Sequence, residues 1–179
     1  CERNGLEVFD VSQLSTHGGS LRVFVQRSDG ERRPVLATVQ QQLQAELSAG
    51  VKTSAYYATL APAAEAIKHG LLRFLLQAKA DGKHVVGYGA AAKGNTLLNY
   101  AGVKPDLLAW VADANPHKQG KYLPGSRIPV VSPERIAREK PDYVLVLPWN
   151  LLSEVSQQLA EVRQWGGQFV IAVPELTVL

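Results

Sequence analysis

A glycine-containing stretch at residues 83–95 constrains the fold of this chain more than any other feature. It reads Lys-His-Val-Val-Gly-Tyr-Gly-Ala-Ala-Ala-Lys-Gly-Asn. His84 to Tyr88 predicts a short buried strand, and Lys93 to Tyr100 predicts a helix. Between them, Gly87 and Gly89 predict a tight turn. The unpaired N–H groups and the dipole at such a helix start favour an anion, so the stretch predicts a phosphate or diphosphate ligand.

The spacing of the small residues leaves two interpretations open. Gly87, Gly89 and Ala92 match the pattern G-x-G-x-x-G/A, in which small residues allow the turn, the approach of a phosphate and close helix packing. Asp113 ends the next apolar run, about 20 residues on, where dinucleotide-binding turns place an acid for a ribose hydroxyl. A ligand-free βα turn explains the same residues. The Walker phosphate-binding pattern does not match, because Lys93 precedes Gly94 instead of following it.

The chain after this turn alternates apolar strand patterns with helical ones. The predicted strands cover residues 107–112, 128–131, 143–147 and 168–173, and the predicted helices cover 132–140 and 153–165. Nearly continuous apolar strands between helices are typical of a parallel sheet covered on both faces. We therefore predict an α/β fold, with a Rossmann-like, mostly parallel sheet and helices on both faces, over residues 83–179.

The chain before the turn predicts a hairpin and a helical linker. Residues 6–14 and 21–26 alternate apolar and polar side chains on either side of a glycine-rich turn, as two hairpin strands do. A helical pattern then covers residues 34–80, with a break at Gly50. The predicted organisation is a hairpin at 1–26, a helical linker at 27–82 and the Rossmann-like domain at 83–179.

Composition excludes several function classes. The 46% of hydrophobic and 20% of charged residues in a chain of 179 are those of an ordinary soluble protein. The net charge of +3 is scattered, which argues against a nucleic-acid partner, and no apolar run has the length of a membrane span. One cysteine excludes an internal disulfide and a cysteine-based zinc site, and fits a cytoplasmic location. Because the chain lacks methionine and opens at Cys1 in mid-pattern, we interpret it as the C-terminal piece of a longer protein.

Several runs along the chain together resemble one enzyme family. They are His17-Gly-Gly-Ser-Leu-Arg22, Gly87 through Thr96, Asp113 through Gly125, Ile128-Pro-Val130, Lys140-Pro-Asp-Tyr143, Trp149-Asn150 and Pro174-Glu175. In this order they resemble the C-terminal domain of the S-adenosylmethionine-dependent sugar C-methyltransferases. The closest similarity is to the enzymes that methylate C3 of nucleotide-linked 4-keto deoxysugars. The resemblance covers nearly the whole chain.

This resemblance implies an arrangement of three parts in the parent enzyme. A zinc-bearing N-terminal part is followed by a middle domain that binds S-adenosylmethionine, and residues 1–26 are the last hairpin of that methyl-donor domain. The catalytic Tyr/Glu/His run and the zinc ligands then fall upstream of Cys1, so no catalytic or metal residue is expected in this chain. The implied partners are a nucleotide-linked keto-sugar and the chain's own upstream methyltransferase domain, whereas the oligomeric state stays unknown.

The chemistry of such enzymes agrees with this division. The ketone acidifies the neighbouring C–H group, a general base such as histidine removes the proton, and the enolate attacks the sulfonium methyl group. The developing enolate oxygen needs a hydrogen-bond donor or a positive charge. We expect this chain to supply groups that position the substrate.

The candidate substrate-binding residues are polar, aromatic or glycine residues that lie within the matching runs. They are His17, Arg22, Gly87, Tyr88, Gly89, Lys93, Asn95, Asp113, Lys118, Trp149, Asn150 and Glu175. Lys93 is the strongest of these, because a positive charge at a helix start is locally unfavourable and a bound phosphate would offset that cost. Each has a structural alternative, such as an ion pair for Arg22 or a packed ring for Tyr88.

Two functions of other classes explain parts of the same sequence. One is a stand-alone dinucleotide-binding module, similar to those that bind NAD, with a redox or sensory role. The other is an assembly scaffold without an ordered ligand. A methyl-donor domain upstream in the parent chain would exclude the first alternative.

Overall fold

The chain divides between residues 61 and 62 into two units, each described here by itself. The computed structural model describes residues 1–179 with the exception of the side chain of His17, so the prediction for that histidine lies outside the described residues. No helix in the described part of the chain is long and apolar enough to cross a membrane.

The first unit contains the predicted hairpin. β1 (Leu6–Leu14) pairs antiparallel with β2 (Ser20–Arg27), and a bulge lies between Val8 and Asp10. Short 3-10 helices lie at Glu2–Asn4 and Thr16–Gly18, and the helices that follow the hairpin are α1 (Ala37–Ser48) and α2 (Ser54–Tyr57). The Thr38 hydroxyl donates to the Asp10 carboxylate at 2.6 Å and ties α1 to β1. The predicted helix break is confirmed at Gly50, whose φ is 77°.

The second unit is built around a six-stranded sheet, and the order of its strands identifies the fold class. Its elements are α3 (Leu60–Ala80, which begins in the first unit), β3 (Val85–Tyr88), α4 (Ala92–Ala101), β4 (Val111–Ala112), β5 (Val130–Val131), α5 (Glu134–Glu139), β6 (Tyr143–Val146), α6 (Leu152–Gln158), β7 (Gln168–Ile171) and β8 (Thr177–Val178). The strand order is β5-β4-β3-β6-β7-β8. All neighbours are parallel except β7 and β8, which are antiparallel. Counted from β3, this is the 3-2-1-4-5-6 order of doubly wound dinucleotide-binding folds, so the predicted fold class is confirmed.

Alternate residues of the strands separate the core into two layers. Val85 of β3 belongs to an apolar cluster with Leu71 and Leu75 of α3 and Leu98 of α4. The next residue, Val86, belongs to a second cluster, which also contains Ile136 of α5, Val155 of α6 and Phe169 of β7. Helices therefore cover both faces of the sheet, which explains why the parallel strands are apolar at nearly every position.

The predicted helix at 153–165 is wrong in one respect. α6 ends at Gln158, and a 3-10 helix continues from Ala160 to Trp165. Val155, Leu159 and Val162 are nevertheless all buried. One continuous helix and two successive helical segments that bury the same face both give this apolar spacing. The spacing therefore could not reveal that the helix is interrupted at Leu159. β8 was not predicted, and β4 and β5 are shorter than their apolar runs.

An acidic side chain joins the amino ends of the two central strands. Asp142 precedes β6, and its carboxylate accepts the backbone N–H of His84 at 2.8 Å and the ammonium of Lys83 at 2.9 Å. These contacts, the backbone hydrogen bond first, lower the pKa of Asp142 from its ordinary value of 3.8. The ionised carboxylate therefore stabilises the start of the β3–β6 pair.

Replacement of Asp142 by alanine is expected to lower the free energy of unfolding by about 1 kcal/mol at pH 7, because two charge-assisted hydrogen bonds are lost at a partly exposed site. A depressed pKa means that this contribution is complete above the unfolded-state pKa and is lost as the pH falls through the folded-state pKa. Urea unfolding of both proteins between pH 7 and pH 3 should therefore show the difference shrinking only at the acid end. Asp106→Ala, at an exposed carboxylate that makes no hydrogen bond with a described residue, is the control and should change little. A difference that stayed constant through pH 3 would contradict this account.

Candidate functional site at the carboxyl edge of the sheet

The turn after β3 requires glycine at one position in particular. Gly89 has a φ of 85°, in the left-handed region, and a Cβ atom built on it would lie 2.5 Å from Cδ of Pro148. Pro148 follows β6, so the end of the neighbouring strand packs directly on the turn. The prediction that Gly87 forms part of the turn is wrong, because Gly87 lies inside β3. It is needed there for packing, since a Cβ atom would lie 2.7 Å from Val111.

The start of α4 presents backbone donors without partners. Ala91 precedes the helix in an extended conformation, with ψ of 149°, and no side chain caps the helix. The first helical hydrogen bond runs from the N–H of Asn95 to the carbonyl of Ala91 at 2.9 Å. The N–H groups of Ala92, Lys93 and Gly94 have no acceptor among the described residues. They are the donors that an anion would use.

The close contact between α4 and the sheet is made by a different residue from the one predicted. Gly94 is buried, and a Cβ atom on it would lie 2.6 Å from Cβ of Leu147, the residue after β6. Ala92, which the glycine pattern assigns to this role, is exposed. The helix thus makes its close contact two residues later than the pattern predicts, at the third residue of α4, which begins at Ala92.

Asp113 lies at the end of β4, as predicted, but its carboxylate is occupied by protein donors. The residue is 7% exposed. One carboxylate oxygen accepts the N–H of Ala90 at 2.7 Å and the ammonium of Lys118 at 3.0 Å, and the other accepts the N–H of Asn115 at 2.8 Å. Lys118 also donates to the carbonyl of Ala90 at 3.0 Å. Asp113 and Lys118 therefore hold the turn after β3 and leave little acceptor capacity for a ribose hydroxyl.

Lys93 and Trp149, predicted independently, meet at this edge. The Lys93 ammonium lies 4.9 Å from the centre of the Trp149 ring, within the range of a cation–π interaction. Lys93 belongs to the first turn of α4, and Trp149 begins a 3-10 helix (Trp149–Leu151) after β6. No described carboxylate lies within ion-pair distance of Lys93. Its positive charge therefore stays available to a ligand.

Asn150 carries an unsatisfied oxygen at the same edge. Its Oδ1 atom is buried and has no hydrogen-bond partner among the described residues. Buried side-chain oxygens almost always accept a hydrogen bond, and one left without a donor is destabilising. A ligand that brings a hydroxyl or an N–H group would supply that donor.

Tyr88 has a structural role in this arrangement. It is 5% exposed, packs in the second apolar cluster and donates its hydroxyl to Gln158 at 3.0 Å. Burial, followed by the charges of Asp113 and Glu154, raises the pKa of the Tyr88 hydroxyl. The group therefore stays protonated at neutral pH and does not act as a base.

The remaining predicted residues are Asn95 and Glu175 in the second unit and Arg22 in the first unit. Asn95 is on α4, where Asn99 donates to its side-chain oxygen at 3.2 Å and to its backbone oxygen at 2.9 Å. Glu175 is exposed after β7, and β6 separates that strand from β3 in the sheet. Arg22 is exposed on β2 opposite Ser12, and it forms no ion pair with a described residue.

Two residues of the site were missed by the sequence analysis. Pro148 and Leu147 pack against Gly89 and Gly94 respectively, and both follow β6. The sequence has a proline directly after a buried strand and before an aromatic residue. This pattern predicts a loop, but it does not predict which residue the proline contacts. A cavity of about 1020 Å³ lies in the first unit and is lined by none of the described candidates. No group of three or more His, Cys, Asp or Glu side chains in the described part of the chain could hold a metal ion.

The fold and this edge define a Rossmann-like α/β domain with free backbone N–H groups beside the turn at its topological switch point. The chain belongs to the C-methyltransferase C-terminal domain family, whose family model matches residues 15–174. It is 38% identical over 180 residues to the C-methyltransferase NovU of Streptomyces niveus, in an alignment that covers 99% of this chain and 42% of NovU. The chain thus spans less than half the length of this relative, and the predicted family is confirmed.

Replacement of Gly89 by alanine tests the contact with Pro148. Gly102 is the matched control, because its φ of 72° imposes the same left-handed conformation while a Cβ atom there would meet nothing within 4 Å. Left-handed strain alone costs roughly 1–2 kcal/mol, and overpacking against Pro148 adds about 1–3 kcal/mol. Gly89→Ala should therefore lower the free energy of unfolding, measured in urea, clearly more than Gly102→Ala. Equal losses would show that Pro148 does not restrict the turn.

Proposed function

We propose that this chain is the substrate-binding, cleft-completing C-terminal domain of an S-adenosylmethionine-dependent sugar C-methyltransferase that acts on a nucleotide-linked keto-deoxysugar. Family membership supports the enzyme class. The observation that carries the ligand proposal is the position of the Lys93 ammonium over Trp149, beside the free N–H groups at the start of α4. A positive charge that has no carboxylate partner and that lies beside free N–H donors is complementary to a diphosphate.

The two kinds of group at this edge suit two parts of a nucleotide-linked sugar. The diphosphate carries only acceptors and negative charge, which match Lys93 and the helix start. The nucleoside and the sugar carry hydroxyl and N–H donors, which match the buried oxygen of Asn150. The aromatic face of Trp149 supplies apolar area next to both groups. This combination supports a nucleotide-linked ligand over inorganic phosphate alone.

The same edge does not fit the methyl donor. The sulfonium of S-adenosylmethionine is a cation, and Lys93 would repel it at close range. The acidic group that could hold its ribose hydroxyls, Asp113, already accepts three protein hydrogen bonds. We therefore propose that another domain of the parent enzyme binds the donor and supplies the base, and that the zinc implied by the family resemblance also belongs there.

The stand-alone dinucleotide-binding alternative has less support. It requires Asp113 to receive a ribose hydroxyl, and that carboxylate is used by Ala90, Asn115 and Lys118 instead.

The first unit supports the proposal that residues 1–26 complete a preceding methyl-donor domain. Its hairpin and α1 expose several large apolar side chains, with exposed fractions of 42% for Leu21, 45% for Val23, 52% for Leu43 and 59% for Leu47. A two-stranded hairpin is marginally stable by itself. A neighbouring domain that packs on these side chains would remove apolar surface from water.

Lys93→Ala should weaken the binding of a nucleoside diphosphate by about one to two decades, since a charge-assisted contact is worth roughly 1.5–3 kcal/mol. Folding should be intact or slightly more stable, because a positive charge is removed from a helix start. Calorimetric titration at fixed salt, together with thermal melts, measures both effects. Lys68→Ala is the matched control, because Lys68 also lies over an aromatic ring, at 5.2 Å from the centre of Tyr100, on α3. Unchanged affinity in Lys93→Ala would mean that the turn is only a structural corner.

The 179-residue chain alone is expected to transfer no methyl group. The reason is that the donor site and the general base are proposed to lie in another domain. The measurement is the turnover of methyl-labelled S-adenosylmethionine with a keto-sugar nucleotide as acceptor. Turnover by this chain alone would overturn the proposed division of labour.

A further inference from the structure

The three tryptophans of this chain differ in how their indole N–H groups are used. Trp110 donates to Glu139 at 3.1 Å, and Trp165 donates to the carbonyl of Pro141 at 3.0 Å. Trp149 has no acceptor for its indole N–H among the described residues, and this nitrogen is not buried. Tryptophan at a binding surface typically combines an apolar body with a polar tip that finds a ligand acceptor. The indole N–H of Trp149 is therefore free, whereas those of Trp110 and Trp165 are bound within the fold.

Lys93 depends on Trp149 for its position. In the described part of the chain it has no carboxylate partner and makes no side-chain hydrogen bond, so the cation–π contact with the ring at 4.9 Å is the one polar interaction of its ammonium. A free lysine side chain has considerable rotamer entropy, part of which is lost when it binds an anion. A cation–π contact restricts the ammonium before a ligand arrives, and a phosphate oxygen can still reach the outer side of that ammonium.

The adjacent residue carries a further polar group without a partner. Asn150 follows Trp149 in the same 3-10 helix, and its buried Oδ1 atom lacks a donor. Neither Lys93 nor Trp149 can satisfy that oxygen in the structure as it stands. The segment after β6 therefore presents an aromatic ring, a free indole donor and an unsatisfied acceptor in succession.

We propose that Trp149 is a positioning residue of the diphosphate site, which holds the Lys93 ammonium in place for the ligand. This inference rests on the proposed function, because it assumes that Lys93 binds a diphosphate. A consequence of this arrangement is that the contributions of Lys93 and Trp149 to the binding free energy are coupled. The contribution of Lys93 to binding depends on the ring of Trp149, and the two residues act as one unit across the switch point of the sheet.

A double-mutant cycle tests this coupling with inorganic pyrophosphate and uridine diphosphate as the titrated probes. The variants are Trp149→Leu, Lys93→Met, the double variant and the conservative Trp149→Phe, which keeps an aromatic face. Trp149→Leu should weaken binding roughly threefold to tenfold in the presence of Lys93 and hardly further in the Lys93→Met background. Trp149→Phe should retain most of the affinity. Thermal melts show that each variant is folded.

A spectroscopic signature separates positioning from a purely structural role. The emission of Trp149, obtained as the difference between the chain and its Trp149→Phe variant, should change when pyrophosphate is added, and should not change in the Lys93→Met background. Affinity that Trp149→Leu lowers equally with and without Lys93 would overturn the positioning role. The positioning role would also be overturned if Trp149→Leu bound the probes with unchanged affinity while Lys93→Met bound them more weakly. In that case the proposed site would still stand. Normal affinity in Lys93→Met would overturn the proposed site itself.

Discussion

The buried carboxylate of Asp113 is the interaction on which the carboxyl edge of the sheet depends. It accepts the N–H groups of Ala90 and Asn115 and the ammonium of Lys118, and so joins the end of β4 to the turn after β3. A buried carboxylate without such donors would be strongly destabilising. The turn and the loop after β4 are therefore fixed together. Because Lys118 compensates the negative charge of Asp113, that charge does not cancel the positive potential at the start of α4.

The strand on the other side of the switch point completes this support. Pro148 and Leu147 follow β6 and pack on Gly89 and Gly94, at distances that leave no room for a side chain. The glycine turn is thus held from the β4 side by hydrogen bonds and from the β6 side by packing. A consequence is that Trp149, one residue beyond Pro148, reaches the ammonium of Lys93.

The two edges of the sheet use charge differently. At the amino edge the charged groups satisfy one another, since Asp142 pairs with Lys83 and Glu139 pairs with Arg135. At the carboxyl edge Asp113 pairs with Lys118, but Lys93 has no acidic partner in the described part of the chain, and the buried oxygen of Asn150 has no donor. Paired charges stabilise a fold, whereas an unpaired charge leaves its potential available to a ligand. This asymmetry agrees with the rule that ligands bind at the carboxyl ends of parallel strands.

The sequence by itself determined the strand, glycine turn and helix, the parallel sheet with two covered faces and the N-terminal hairpin, and it singled out Lys93 as a candidate. These features depend on apolar period, on the backbone freedom of Gly89 and on the local cost of a cation at a helix start, all of which are readable within a few residues. Only the tertiary structure decided that Gly87 packs inside β3, that Gly94 and not Ala92 meets the sheet, and that Asp113 clamps the turn. It alone brought Trp149 to Lys93. The physical reason is that these contacts join β3 to β4 and to β6, and the spatial order of the strands is set by packing of the whole sheet, which no local pattern encodes.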